Sequence, residues 1–179
     1  MPALGLSRRT IVILLVALVV VAGGALYAFQ PWKAFTTTTV DETLPSASAP
    51  ATPGTPSTPP PGAAGPVDLA RGSFVSHEHA TSGTARTVRL ADGKQSVLRL
   101  EDLATSEGPD VRVYLSPRDA RSAEKGLGEG AVQLGKLKGN RGNQNYSVPA
   151  GTDLSAFRSA VIWCERFSVS FGAADLTPA

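Results

Sequence analysis

The chain opens on one long apolar run and then changes character twice. From Thr10 to Phe29 the twenty residues TIVILLVALVVVAGGALYAF carry no charge. At about 1.5 Å of rise per residue a helix of that length spans about 30 Å, the hydrocarbon thickness of a bilayer. The pattern predicts a cytoplasmic N-terminus over residues 1–9 and a transmembrane helix over residues 10–30. Arg8 and Arg9 precede the run and Gln30, Trp32 and Lys33 follow it, with Tyr27 and Trp32 placed where amphipathic rings favour the lipid interface. This charge order puts the N-terminus in the cytoplasm and everything downstream outside. A cleaved secretory signal competes with this reading, because Ala22, Gly23, Gly24 and Ala25 supply small residues behind an apolar core. Ser7-Arg8-Arg9 also resembles the start of a twin-arginine signal, although Ile11, Val12 and Ile13 depart from its usual continuation. Each alternative still exports the rest of the chain.

Residues 31–65 are dominated by Pro, Thr, Ser, Ala and Gly, as in TTTTVDETLPSASAPATPGTPSTPPPGAAG. Such a stretch buries too little apolar surface to offset the entropy of ordering itself, so it is expected to be a disordered linker. Its prolines favour polyproline II at up to about 3.1 Å per residue, a reach of roughly 90 Å over thirty residues. A Thr/Ser/Pro tract is also compatible with O-linked sugars, on composition alone.

After Pro66 the periodicity becomes two. Short alternating runs at 72–76, 83–90, 96–100, 110–116, 131–137, 144–148, 160–164 and 167–171 read as β-strands with one buried face. Val88/Leu90, Leu98/Leu100, Val111/Val113/Leu115, Val132/Leu134 and Phe167/Val169/Phe171 each fall on one side of a strand. Asp92-Gly93 reads as a two-residue hairpin turn, and Gly139-Asn140-Arg141-Gly142 allows positive φ between strands. The polar stretch 118–130 reads as an excursion with one helical turn in 120–125. Its glycines 126, 128 and 130 lack the strand–glycine–helix context of a nucleotide loop. Residues 66–179 are therefore expected to form one all-β domain, an antiparallel sandwich or flattened barrel of about seven to eight strands.

Composition narrows the function. Seventeen Lys+Arg against fifteen Asp+Glu, with no basic block beyond one Arg pair, argues against nucleic acid as a partner. A single cysteine excludes a disulfide framework and any CxxC zinc site. No GxSxG elbow, HExxH or distinctive carboxylate pair is present, so turnover of a small substrate has no direct support. Asp110 reads as readily as a turn acid as a base. Asn143 and Asn145 suit turn backbone or polar ligands, and Asn145-Tyr146-Ser147 matches a glycosylation sequon.

Four segments combine into a more specific pattern: Gly72-Ser73-Phe74 followed by His79 and Gly83; Gly108-Pro109-Asp110 opening VRVYLS; LGKLKGNRGNQNYSVP ending at Pro149; and VIWCERFSVSFGAADL ending at Leu176. Together, from about Asp68 to Leu176, they resemble the DM13 domain, with no signature residue missing. The resemblance implies an extracytoplasmic β-rich module in which Cys164 takes part in electron transfer, as a bare thiol or by holding a prosthetic group such as haem. It also implies a separate, exported redox partner.

The residues themselves leave the role of Cys164 open. If 161–171 were one unbroken strand, Val161, Trp163, Phe167, Val169 and Phe171 would share an apolar face, and Ile162, Cys164, Arg166, Ser168 and Ser170 the other. Cys164 would then sit at a border between core and water, with the Arg166 guanidinium stabilising its thiolate. A turn near Glu165 would instead bury the thiol as a small hydrophobe. His77 and His79, two apart, would point to one side of a strand, and with Cys164 they match the ligand set of a copper site. As a cofactor ligand, His79 alone belongs to the family motif. The expectation is thus a single-pass cell-membrane protein presenting a redox module centred on Cys164, its cofactor undefined between haem, copper and none. The alternative is a non-catalytic surface module that binds an exported protein or other cell-surface component, with Cys164 structural.

Overall fold

The computed structural model describes residues 7–45 and 65–179. Most of the expected linker, 46–64, and most of the expected cytoplasmic N-terminus lie outside the described residues.

Helix α1 runs Arg8–Phe29, 22 residues, capped by the Ser7 hydroxyl accepting from the Thr10 amide. None of its residues is buried, and by length and composition it can cross a membrane once. Gln30, with φ +44°, ends it, and Pro31–Phe35 follows as a short 3-10 turn.

The rest is mostly β. Ten strands form one curled mixed sheet: β1 (Thr39–Asp41), β2 (Val67–Ser76), β3 (Ser82–Arg89), β4 (Ser96–Ala104), β5 (Val111–Ser116), β6 (Val132–Lys136), β7 (Arg141–Ser147), β8 (Ser159–Cys164), β9 (Val169–Asp175) and β10 (Thr177–Pro178). Their order is β1-β7-β4-β3-β2-β9-β8-β5-β6, with β10 added on β2. Every pairing is antiparallel except β1 with β7. The sheet curls as a half-barrel, and its inner face gathers Leu98, Leu100, Leu103, Val111, Val113, Leu115, Ile162 and Phe171 into the main core. All eight alternating runs contain a strand, although the last begins only at Val169, since apolar residues at every second position can be buried together only on a pleated surface.

Three local features differ from the sequence reading. The turn at Asp92-Gly93 is wider than two residues: Leu90 N–H bonds the Gln95 carbonyl, and the Asp92 carboxylate accepts from the Lys94 and Gln95 amides. A second, smaller cluster of Tyr114, Ala120, Ala123, Val161, Trp163 and Ala173 forms beneath helix α2 (Ala120–Ala123). Strand β8 is consequently buried on both faces. Finally, part of the expected linker belongs to the domain. β1 lies beside β7 with Val40 opposite Gly142, Glu42 takes an ion pair from Lys138 at 2.8 Å, and Leu44 packs on Val88, Leu90 and Val97.

Two glycines make room for that strand. A Cβ on Gly139 would meet the Thr38 carbonyl oxygen at 2.5 Å, and one on Gly142, where φ is +93°, would meet the Val40 carbonyl oxygen at 2.1 Å. The KGNRG segment therefore does more than turn the chain, because it admits the stretch that leaves α1.

Candidate functional site

Cys164 is the last residue of β8, opposite Val111 of β5 and Val169 of β9. It is 0% exposed and belongs to the main core. The strand does not continue through it. Residues 165–168 form a turn in which Ser168 adopts φ +53°, and this resets the alternation. Val169 and Phe171 then join Cys164 and Ile162 on the core side, whereas Val161 and Trp163 face α2. Phe167, expected on the apolar face, is 43% exposed in the turn.

Arg166, expected beside the thiol, is engaged with the helix end. Its Nη1 donates to the Ala28 carbonyl at 2.9 Å, satisfying one of the unpaired carbonyls at the end of α1. Beside it, Phe167 stacks on Phe29 with ring centroids 5.9 Å apart. The turn after the cysteine is thus a contact between the domain and the exit of the apolar helix.

The two histidines separate. Residues 77–79 wrap over β9, with the His77 and His79 amides donating to the Phe171 carbonyl and the Glu78 amide to that of Ser170. The His77 Nδ1 sits 2.7 Å from the Ser170 hydroxyl, while the His79 ring lies on Phe171, centroids 3.8 Å apart. Ser170 and Phe171 are consecutive on a strand and face opposite ways, so the imidazoles do too. The break in strand geometry after Ser76 defeats the two-residue spacing rule. Burial lowers the pKa of His77 against the pull of Glu124 and the Ala120 carbonyl, and lowers that of His79 against the pull of Glu78. Among the described residues no three His, Cys, Asp or Glu side chains gather as a metal site.

A recess of about 230 Å³ opens where the chain leaves the apolar helix α1. Lys33, Thr38, Glu107, Asp110, Val111 and Lys138 are among its lining residues. Thr36 and Thr38 hydroxyls donate to Glu107 and hold its pKa down. The Arg112 guanidinium does the same for Asp110 through bonds of 3.0 and 3.1 Å. No His, Cys or Met lines the recess, and its volume lies below the roughly 300–1,000 Å³ of ordinary ligand sites. A haem would find no axial ligand there, and copper would find neither imidazole nor thiolate. These residues do not fit either group.

The sequence reading missed a polar network next door. The Tyr114 hydroxyl donates to Glu165 Oε1 and lies 2.8 Å from Gln133 Oε1, which also accepts from Arg112 Nη1 at 2.8 Å. Burial, then the hydrogen bond to Glu165, pushes the Tyr114 pKa up to about 12. The only local signal was that Arg112 and Tyr114 fall out of phase with Val111, Val113 and Leu115. Their partners come from β6 and from the turn after β8, which periodicity does not reveal.

No curated protein and no solved structure matches this chain. Residues 73–176 match the family described as electron transfer DM13. This span runs from β2 to the end of the core, takes in more than half of the 179 residues, and contains Cys164, both KGN-segment glycines and the recess lining apart from Lys33 and Thr38. The chain belongs to the electron transfer DM13 family.

Proposed function

We propose that this protein is a single-pass membrane protein, N-terminus in the cytoplasm, which holds an electron-transfer domain against the outer membrane surface for an exported redox partner. Arg8 and Arg9 ahead of α1 support the orientation. Contacts of the 165–168 turn with Ala28 and Phe29 support the apposition. Cys164 is the redox centre in this reading, and its burial restricts how it works. Disulfide exchange requires one sulfur to reach another, and no such path leads to a residue that is 0% exposed. Electron transfer to a docked partner needs only proximity. The observation that carries this is that Val111, directly across the strands from Cys164, also lines the recess, so one side chain separates the sulfur from a solvent-facing surface.

The hydrocarbon surroundings of the sulfur favour a second reading, in which the domain is a recognition module for a cell-surface component and Cys164 only packs. Mediated potentiometric titration of the full chain in nanodiscs separates the two. A redox couple present in the native protein and lost in Cys164→Ala, with the circular dichroism unchanged, supports the first reading. A couple that persists in Cys164→Ala, or is absent from the native protein, leaves the second.

A further inference from the structure

A thiol or phenol that gives up an electron near neutral pH also gives up a proton, so a buried redox group needs an acceptor at hand. Cys164 is surrounded by hydrocarbon. Tyr114, one strand away and 8% exposed, is differently placed: its hydroxyl donates directly to the carboxylate of Glu165, the residue that follows Cys164. Gln133 is fixed beside that hydroxyl by Arg112, which is itself held by Asp110 at the rim of the recess. Trp163 shares the cluster with Tyr114 and sits opposite Arg112 in the strand register.

We propose that Tyr114 is a one-electron redox site with Glu165 as its proton acceptor. This rests on the electron-transfer reading above, though not on Cys164 as its centre. The oxidant is a one-electron centre of an exported partner, of the high-potential copper(II) class. One electron passes from the phenol to that metal, reducing it to copper(I). The Oη–H bond breaks, and the proton moves along the existing hydrogen bond to Glu165 Oε1. The products are a neutral tyrosyl and a protonated Glu165 carboxyl, and reduction reverses both transfers. Loss of the proton first is disfavoured, because burial and the neighbouring carboxylate keep the hydroxyl protonated. Trp163 supplies a second aromatic group in the cluster that packs under α2.

The other two tyrosines lack this arrangement. Tyr146 donates to the amide oxygen of Gln144 at 2.7 Å, which cannot hold the proton. Tyr27 lies 76% exposed on the apolar helix.

The full chain in nanodiscs, oxidised with hexachloroiridate(IV) and freeze-quenched, tests this by electron paramagnetic resonance. A tyrosyl signal is expected in the native protein, in Tyr27→Phe and in Tyr146→Phe. It is expected to be lost in Tyr114→Phe. Glu165→Gln, which keeps the side-chain shape and removes the acceptor, is expected to lose it as well, with the circular dichroism retained. A signal that survives either Tyr114→Phe or Glu165→Gln overturns the assignment. If hexachloroiridate is reduced at the native rate by Tyr114→Phe, electron transfer stands and the tyrosine site falls. If the native protein reduces none, both fall.

Discussion

Gly142→Ala is the sharpest perturbation of how the domain takes up the segment leaving α1. The added Cβ would sit 2.1 Å from the Val40 carbonyl oxygen at a residue with φ +93°, and a non-glycine residue there carries roughly 1–3 kcal/mol of strain. Whether that suffices depends on how firmly residues 38–44 are held. Ordering seven residues costs about 7–14 kcal/mol at about 1–2 kcal/mol each. Against it stand the short β1–β7 ladder, the Thr38 amide on Asn140 Oδ1 at 2.7 Å, the Asn145 contacts to Glu42 and Thr43 at 2.8 and 2.7 Å, the Arg99 bond to the Glu42 carbonyl at 3.0 Å, the Lys138–Glu42 pair and Leu44 burial. At about 1 kcal/mol per hydrogen bond these contribute about 10 kcal/mol. At the lower ordering cost about 3 kcal/mol remains in favour of docking, which strain of this size removes in part or entirely. Hydrogen exchange on the full chain in nanodiscs is the assay. Protection of the Thr38 and Glu42 amides is expected to fall about 5- to 150-fold, at tenfold per about 1.4 kcal/mol, while β8 and β9 stay protected. Leu44→Ala is expected to act in the same direction without touching β7. Native-like protection at Glu42 in both variants would refute the docking balance.

Arg166→Ala is expected to leave the reaction of Cys164 with a small thiol reagent unchanged, because the guanidinium is spent on Ala28 and the thiol is sealed. A thiolate-stabilising arginine would instead slow that reaction when removed, which the rate of thiol modification reads directly. The half-buried histidines predict acid sensitivity of a definite sign. Burial lowers the folded pKa of His77 and His79 below the unfolded value of about 6.5, so the unfolded chain binds more protons. Their contribution to stability is full above about pH 6.5 and is lost as pH falls from there through the folded pKa. Thermal melts from pH 7.5 to 5 are expected to show this loss, and His77→Asn/His79→Asn to show a flatter profile. An equal slope in the double variant would assign the acid effect elsewhere.

Much of the fold was legible because it is written in alternation. Val111, Val113 and Leu115 are separated by Arg112 and Tyr114, and a pleated strand is the one element that buries the first three together. Alternation fails where the chain turns without announcing it. The Glu165–Ser168 turn has no Gly, Pro or Asn, and Ser168 takes its positive φ regardless. The unbroken-strand reading therefore put Arg166 beside Cys164 and Phe167 in the core. The histidine pair misled for a related reason, since a spacing of two means one side only while the strand lasts, and β2 ends at Ser76. β1 was hidden more deeply. Thr39, Val40 and Asp41 sit in a Thr- and Pro-rich stretch whose composition signals disorder, and only the glycines 139 and 142, a hundred residues away, record that a strand must fit there.

That pairing changes what the proline-rich segment does. A linker sets the height of a domain above the membrane only if it alone joins the two. Here the chain leaves α1, turns through Pro31–Phe35, and joins the sheet by Thr39, while Arg166 and Phe167 return to the same helix end. Residues 46–64 therefore start and finish on the domain, Leu44 packing on the β3–β4 end and β2 starting at Val67. Their length adds chain without adding reach. On the function proposed above, a redox partner would then meet the domain beside the exit of α1, where Lys33 lines the recess.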